Sequence, residues 1–336
     1  MASRTRKFHP LAALAILPLI LSACEDTSKT SPPGNPDGLT FPVACTLGED
    51  CWIARYVDHS QDDEARDYLC GNHTQSGHKG TDIALNDLGR MANGVDVLAA
   101  KGGTVLRVRD GVEDISVRRT GADAVDGQEC GNGIVIAHDN GDESQYCHLK
   151  KGSITVEPEE RVEAGAKIAQ VGLSGETEFP HLHYMLRRGG EIIDPFDGSR
   201  MGDHCDASGP ILWANDIAYD PLVLFDLQLS DTPPKGDSVW QAGKTSLSRM
   251  SPAMVVTARG MFTEAGDTWH MRIRDPKGKV FVEQKAALED GDQFYYRFIG
   301  RKRPDGGFLP GIWTAELTAK RGTEAEKKLK LEFRVE

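Results

Sequence analysis

Two pairs of polar side chains in this sequence have the spacing of metal ligands. His181 and His183 are two residues apart, and in an extended strand such side chains project from the same face. His78 and Asp82 are four residues apart, and the Gly-Thr pair between them favours a strand or loop over a helix. A catalytic zinc takes three nitrogen or oxygen ligands and keeps a fourth position for water. His78, Asp82 and one of the two strand histidines would complete such a set.

The segments around these residues have the pattern of short β-strands. Apolar and polar residues alternate, glycine-rich turns separate the segments, and amphipathic helical patterns are nearly absent. An Asn-Gly turn at residues 140–141 predicts a hairpin. We therefore predict a mostly β, antiparallel fold, with strands at Val95–Ala100, Thr104–Arg109, Ile134–His138, Ser144–His148, Lys167–Val171 and His181–Leu186.

Several short motifs occur in a fixed order between residues 77 and 196. They are His78-x-x-x-Asp82, Ala100-x-Gly102-x-x-Val105, Gly131-Asn132-Gly133, Tyr146-Cys147-His148-Leu149, Gly172-x-x-Gly175 and His181-Leu182-His183. In this order the segment resembles the lysostaphin-like, or LytM-type, zinc endopeptidases. The resemblance implies an antiparallel β fold with the metal in a groove. It further implies Zn²⁺ bound by His78, Asp82 and His183, with His148 and His181 as the catalytic pair.

The chain lacks the His-Glu-x-x-His motif of another class of zinc peptidase. A histidine must therefore take the place of the glutamate base, and the near-neutral pKa of imidazole suits it to proton transfer. The other histidines are expected to have ordinary roles. His59 and His73 are expected to be solvated in polar loops, and His138 to be a hydrogen-bonded residue at a strand end.

The N-terminus has the pattern of an export signal. Three basic residues precede an apolar run from Leu11 to Leu21, which is too short to span a bilayer. The run ends at Leu-Ser-Ala-Cys24, which resembles a bacterial lipobox and predicts lipidation of Cys24. We therefore predict a lipoprotein signal peptide at 1–23 and a flexible tether at 24–44, rich in Pro, Gly and Asp. The mature protein would be anchored to a membrane and face the periplasm or cell envelope.

Charge and cysteine content support an exported, acidic protein. The formal net charge of −12 becomes −15 without the three basic residues of the signal peptide, which leaves no electrostatic basis for binding nucleic acid. An even number of cysteines in an exported chain predicts disulfides among Cys45, Cys51, Cys70, Cys130, Cys147 and Cys205. We pair Cys130 with Cys147 because both flank the predicted hairpin.

The chain divides into two modules after the tether. We assign residues 45–208 to the peptidase domain with a disulfide-stapled lead-in. Residues 209–336 form a smaller, immunoglobulin-like β-sandwich, in which Trp269, Trp313 and Tyr295 contribute to the core. Its six predicted strands are Met254–Ala258, Thr268–Arg274, Val280–Lys285, Gln293–Phe298, Ile312–Thr318 and Leu329–Val335.

The resulting functional hypothesis is an exported zinc endopeptidase that cleaves the peptide cross-links of peptidoglycan. This substrate class follows from the family resemblance. One alternative is a non-catalytic module that recruits another cell-wall hydrolase, with the C-terminal domain as the contact for a protein partner. Another is a peptidase whose substrate is a different protein. Degenerate relatives typically lose metal ligands, whereas this chain retains the three candidates.

Overall fold

The computed structural model describes residues 37–62, 64–205 and 209–336. The predicted signal peptide, Cys24 and most of the predicted tether lie outside these ranges. Among the residues described, helices are short, and none has the length and apolar character needed to cross a bilayer. The prediction of a mostly β, antiparallel fold is confirmed.

The first half of the described chain contains ten strands and two short α-helices. The helices are α1 (Leu88–Asn93) and α2 (Val117–Thr120). The strands are β1 (Cys51–Arg55), β2 (Thr81–Leu85), β3 (Asp96–Leu98), β4 (Gly103–Arg109), β5 (Asn132–His138), β6 (Asp142–Leu149), β7 (Arg161–Val162), β8 (Lys167–Gln170), β9 (His181–Arg188) and β10 (Glu191–Ile193).

Eight of these strands form one sheet, which we call the first sheet. Its order is β1-β2-β9-β6-β5-β4-β7, with β10 paired to β9, while β3 and β8 form a separate pair. Ile83 on β2 lies opposite Leu182 on β9, and both are fully buried in the first hydrophobic core. Because side chains alternate along a strand, Asp82, His181 and His183 project from the opposite face. The buried apolar face thus fixes which way the candidate ligands point.

The second half contains eight strands and forms two more sheets. The strands are β11 (Val223–Ser230), β12 (Ser246–Leu247), β13 (Ala253–Thr263), β14 (Thr268–Arg274), β15 (Val280–Ala287), β16 (Asp292–Lys302), β17 (Gly311–Lys320) and β18 (Lys327–Val335). The sheet orders are β11-β13-β16 and β12-β18-β17-β14-β15. Both sheets contribute to a second core that contains the buried Trp269 and Trp313, with Tyr295 packed against it. The immunoglobulin-like form of this module stays a prediction.

A third apolar cluster, which we call the shared cluster, joins the two halves. Trp52 and Phe179 from the first half meet Phe225 and Trp240 from the second. The rings of Trp52 and Phe225 are 4.6 Å apart, and Phe179 stacks on Trp240 at 5.0 Å. The two halves are therefore held together by buried aromatic surface.

Some segments differ from the sequence-based expectation. Residues 37–44, assigned to the tether, are packed: Leu39 and Val43 are buried, and the Leu39 amide donates to the Leu212 carbonyl at 2.7 Å. Pro and Gly dominate the composition of the tether, but Leu39, Phe41 and Val43 alternate as in a strand and find apolar partners. Strands β1 and β11 were also missed, because neither lies within a recognisable motif.

His73 lies where the two halves meet and is buried, not solvated as the sequence indicated. Its ring stacks on Phe262 at 3.6 Å and on Tyr219 at 4.7 Å. Burial lowers the pKa of His73 to about 4. The expectation failed because local polarity does not reveal which surfaces later cover a loop.

Acidification is expected to weaken the fold through His73. Because the pKa of His73 is lower in the folded state than its ordinary value, the folded state favours the neutral ring. The contribution of the neutral His73 ring to the free energy of unfolding is fully present above about pH 6.5. It decreases by up to about 3 kcal/mol as the pH falls to about 4. Urea unfolding of the wild type and of His73→Phe at pH 7.5, 5 and 4 measures it. The variant should lose less stability on acidification; parallel pH curves for both proteins would contradict the assignment.

Candidate metal centre

A row of polar side chains crosses the open face of the first sheet. Asp82 on β2 lies opposite Arg55 on β1 and opposite His183 on β9. His183 in turn lies opposite Cys147 on β6. The antiparallel register therefore brings side chains from four strands, distant in sequence, to one level of the sheet. His181 lies one step along β9 on the same face.

His78, Asp82 and His183 form a group that could hold a metal ion. The Asp82 Oδ1 atom is 3.2 Å from His78 Nε2 and 2.8 Å from His183 Nδ1. Tetrahedral zinc ligands, at bond lengths of about 2.1 Å, are separated by roughly 3.4 Å. The His78 Nδ1–H donates to the Tyr56 carbonyl at 2.7 Å, which leaves the Nε2 lone pair free for a metal. Donor type and spacing thus both fit a small divalent cation.

Gly80 is required between the two ligands of the His78–Asp82 segment. A Cβ atom at this position would lie 2.4 Å from the Tyr184 carbonyl oxygen and 2.8 Å from His183 Nε2. Any side chain would therefore push β9 and its histidine away. The glycine lets the ligand loop approach β9 closely.

His148 and His181 lie beside this group, with their ring centroids 4.6 Å apart. The Nδ1 atoms are engaged by main-chain carbonyls: His148 with Ser174 at 2.8 Å and His181 with Phe179 at 3.0 Å. Neither Nε2 atom has a main-chain partner, and that of His181 lies 3.5 Å from Asp82 Oδ1. His148, near the end of β6, has φ of 59°, an uncommon left-handed conformation for a residue with a side chain.

The electrostatics of the site favour an ionised Asp82 and neutral rings at His148 and His181. Burial opposes the charge of Asp82, but His78 and His181 outweigh it and hold its pKa well below the usual range. Burial opposes protonation of His78 as well, yet the charge of Asp82 raises the pKa of His78. Burial lowers the pKa of His181 to about 4 and, with His181 and His183, lowers the pKa of His148 well below its ordinary value. Both catalytic candidates are therefore unprotonated at neutral pH.

The five residues line one groove of about 560 Å³. Its walls also include residues that sequence reasoning missed, chiefly Arg55, Phe179 and the acidic Glu129 and Glu176. Arg55 belongs to β1, which lies in the cysteine-rich lead-in where no motif marks it. Its only sequence signal is the apolar run from Cys51 to Ala54 that precedes it.

The remaining histidines of the sequence analysis lie outside the groove. His138 is buried and, as predicted, hydrogen-bonded, to the Gly102 carbonyl at 3.0 Å and Ser144 Oγ at 2.9 Å. His59 is buried rather than solvated, and its Nε2 lies 3.1 Å from Asp194 Oδ2. Its loop is covered by the segment after β10, which the local sequence does not reveal.

The cysteines predicted to form disulfides are paired in the structure. Cys130 pairs with Cys147 as expected, and the other bridges are Cys45–Cys51 and Cys70–Cys205. The Cys130–Cys147 bridge lines the groove beside His148, whose amide donates to the Cys130 carbonyl at 2.8 Å. This bridge therefore fixes the groove wall next to a catalytic candidate.

The part of the chain that contains the candidate ligands is similar to a known protein family. Residues 76–195 match the model described as Peptidase family M23. The resemblance to lysostaphin-like and LytM-type peptidases is thus confirmed.

Individual relatives match parts of the chain. The DD-carboxypeptidase/endopeptidase Mpg of Neisseria meningitidis serogroup B is 35% identical over 106 residues, which is 32% of this chain and 22% of that protein. Its namesake in Neisseria gonorrhoeae is 34% identical over the same shares. The chain thus spans 22% of the length of these curated relatives.

Similar solved structures include a zinc-containing peptidase from Vibrio cholerae, at 24% identity and a TM-score of 0.28. That match covers 44% of this chain and 39% of the other. The catalytic domain of lysostaphin from Staphylococcus simulans is 21% identical with a TM-score of 0.27, covering 42% and 86%.

Proposed function

We propose that this protein is an exported zinc endopeptidase that cleaves peptide cross-links of bacterial peptidoglycan. The observation that carries the proposal is the arrangement of His78, Asp82 and His183 around one carboxylate oxygen, with His148 and His181 lining the same groove. A module that only recruits a partner has no need for a complete set of metal ligands and proton-transfer groups.

Each of the five residues has a separate task in this proposal. His78 Nε2, Asp82 Oδ1 and His183 Nδ1 would hold the zinc ion. When bound, zinc supplies Lewis acidity, which lowers the pKa of a water molecule and polarises the scissile carbonyl.

His148 and His181 move the protons. Their Nδ1 atoms are held by main-chain carbonyls, so each Nε2 can accept a proton from the attacking water and return it to the leaving amine. The resulting imidazolium can also stabilise the negative charge that develops on the substrate carbonyl.

The location and the bond cleaved are further parts of the proposal. The signal peptide and Cys24 would anchor the protein to a membrane, facing the periplasm or envelope. Three disulfides support an oxidising compartment. In a wall whose cross-links join D-alanine to diaminopimelate, the bond cleaved would be that amide. The Neisseria relatives are DD-carboxypeptidase/endopeptidases, which supports this choice.

Digestion of purified cross-linked muropeptide dimers tests the proposal. We expect monomers to appear with the zinc-loaded soluble chain, to stop appearing after chelation, and to reappear when zinc is restored, because zinc supplies the activated water. Mass spectrometry of the products identifies the bond. Intact dimers after incubation with a folded, zinc-loaded protein would contradict the proposal and favour the recruiting module or a different substrate.

A further inference from the structure

Arg55 is an unassigned cation at the edge of the candidate metal centre. It lies opposite Asp82 across the β1–β2 pair, and its Nη1–H donates to Asp82 Oδ2 at 3.3 Å. The two oxygens of Asp82 are thus divided, with Oδ1 toward the histidines and Oδ2 toward Arg55. The guanidinium carbon lies over the Phe179 ring, 5.7 Å from its centre.

Most of the hydrogen-bonding capacity of Arg55 is unused. A guanidinium has five N–H donors, and among the described residues Arg55 makes one side-chain hydrogen bond, to Asp82. Its Nε is buried and has no partner in the described part of the chain. The side chain is 23% exposed and lines the groove. Orienting Asp82 requires one N–H, so donors in the exposed part of the guanidinium are available to a group that enters the groove.

The charges around the groove favour an anionic group beside Arg55. Lys79, in the loop before β2, lines the groove at the same end of the sheet as Arg55. Three glutamates also line the groove, Glu129 in the segment before β5 and Glu176 and Glu178 in the segment before β9. A guanidinium prefers the planar, two-oxygen geometry of a carboxylate. A substrate carboxylate at the β1–β2 end would therefore pair with the guanidinium donors that Asp82 does not use, whereas a neutral amide there would give them no charged partner.

The chemistry of an amide substrate indicates where this carboxylate is attached. On the acyl side of a scissile peptide bond, the neighbouring main-chain carbonyl is itself part of an amide. On the amine side, the carbon bonded to the scissile nitrogen can carry a free carboxylate, either at a chain terminus or at the second amino-acid centre of a cross-linking diamino acid. Three bonds, about 4 Å, then separate the scissile carbonyl carbon from the carboxylate carbon. Arg55 is in contact with the metal ligand Asp82, so a carboxylate this close to the scissile carbon would be within reach of Arg55.

We propose that Arg55 binds a free carboxylate on the amine side of the scissile bond and so makes the protein selective for cross-links whose leaving amine is an α-amino acid centre. Diaminopimelate cross-links have this carboxylate, whereas cross-links through the lysine side chain do not. This inference rests on the proposed endopeptidase function and defines its substrate class.

Two matched dimers test the selectivity. They differ only in whether the carboxyl next to the scissile nitrogen is a free acid or a carboxamide. Arg55→Gln should lower kcat/KM for the free-acid dimer roughly 10- to 100-fold more than for the carboxamide, the range for a hydrogen bond between charged groups, because both dimers share any loss from the changed contact with Asp82. Arg55→Lys keeps the positive charge but lacks the planar guanidinium. Its kcat/KM for the free-acid dimer should therefore lie between those of the wild type and Arg55→Gln.

Controls separate this role from a merely structural one. Arg161→Gln removes a cation from an exposed pair with Asp139 outside the groove, so it should leave the ratio of the two rates unchanged. Zinc content is measured for every variant. Equal losses on both dimers, as expected if Arg55 only orients Asp82, would overturn the proposal.

A binding measurement keeps this inference distinguishable from the proposed function. Zinc-loaded His181→Ala should bind the free-acid dimer about tenfold more tightly than the carboxamide by calorimetry, and adding Arg55→Gln should abolish the difference. If the wild type cleaves neither dimer but this binding preference is present, the carboxylate site is supported and the proposed cleavage of cross-links is contradicted. Equal binding of both dimers overturns the carboxylate site, even if the wild type cleaves them.

Discussion

Replacing Asp82 with alanine is expected to abolish both metal binding and hydrolysis. Asp82 is the only anionic member of the candidate ligand set, and its Oδ1 lies within 3.2 Å of His78 and 2.8 Å of His183. Without it, two neutral imidazoles remain, which cannot complete a three-ligand zinc site. Metal content by mass spectrometry should fall from one zinc per chain to near zero, and dimer cleavage should fall to background.

Two comparisons make the Asp82 result specific. Asp139→Ala removes a carboxylate that pairs with Arg161 on the surface and should keep both zinc and activity. Circular dichroism of Asp82→Ala checks that the first sheet still forms. A folded Asp82→Ala protein with stoichiometric zinc would show that the ligand assignment is wrong.

Replacing His148 or His181 with alanine should separate catalysis from metal binding. Neither residue belongs to the three-residue ligand group, so zinc content should be retained. The rate should fall by about 10²- to 10⁴-fold, the range for loss of a general acid or base. Metal analysis and single-turnover hydrolysis of dimers on the same preparations measure both quantities.

His138→Gln provides the matched histidine control. His138 is buried in the same hairpin but lies outside the groove lining, so the rate per folded molecule should remain near that of the wild type. Loss of zinc from His181→Ala, with retention in a His183→Ala variant, would show that the roles of these two histidines are exchanged.

The common face of His181 and His183 could be predicted because its geometry is local, whereas the choice of His183 as the ligand came from the family resemblance. The spacing of His181 and His183 fixes a common face once the segment is a strand, and the apolar Leu182 selects which face is buried. The Cys130–Cys147 bridge was predictable for the same reason, since both residues flank one hairpin. The short motifs therefore identify most of the residues of the candidate site.

Arg55 could not be predicted, because its position depends on a register between distant segments. It reaches Asp82 only after an irregularity in the β1–β2 pairing between Ile53 and Arg55, across 27 residues of sequence. The Cys70–Cys205 bridge spans 135 residues and likewise depends on the completed fold. Neither the Arg55–Asp82 contact nor the Cys70–Cys205 bridge produces a periodic pattern in the sequence.

The shared cluster couples the stability of the groove to the second half of the chain. Phe179 contacts His181 at 4.7 Å and Arg55 at 5.7 Å on one side, and it stacks on Trp240 at 5.0 Å on the other. Because this aromatic surface is buried from both directions, separating the halves would expose it to water at a cost of several kcal/mol. The two cores should consequently melt as one cooperative transition in calorimetry. A shorter protein ending near residue 208 would expose this apolar aromatic surface beside its groove and would be prone to aggregate. The full-length chain is therefore the appropriate unit for enzyme engineering.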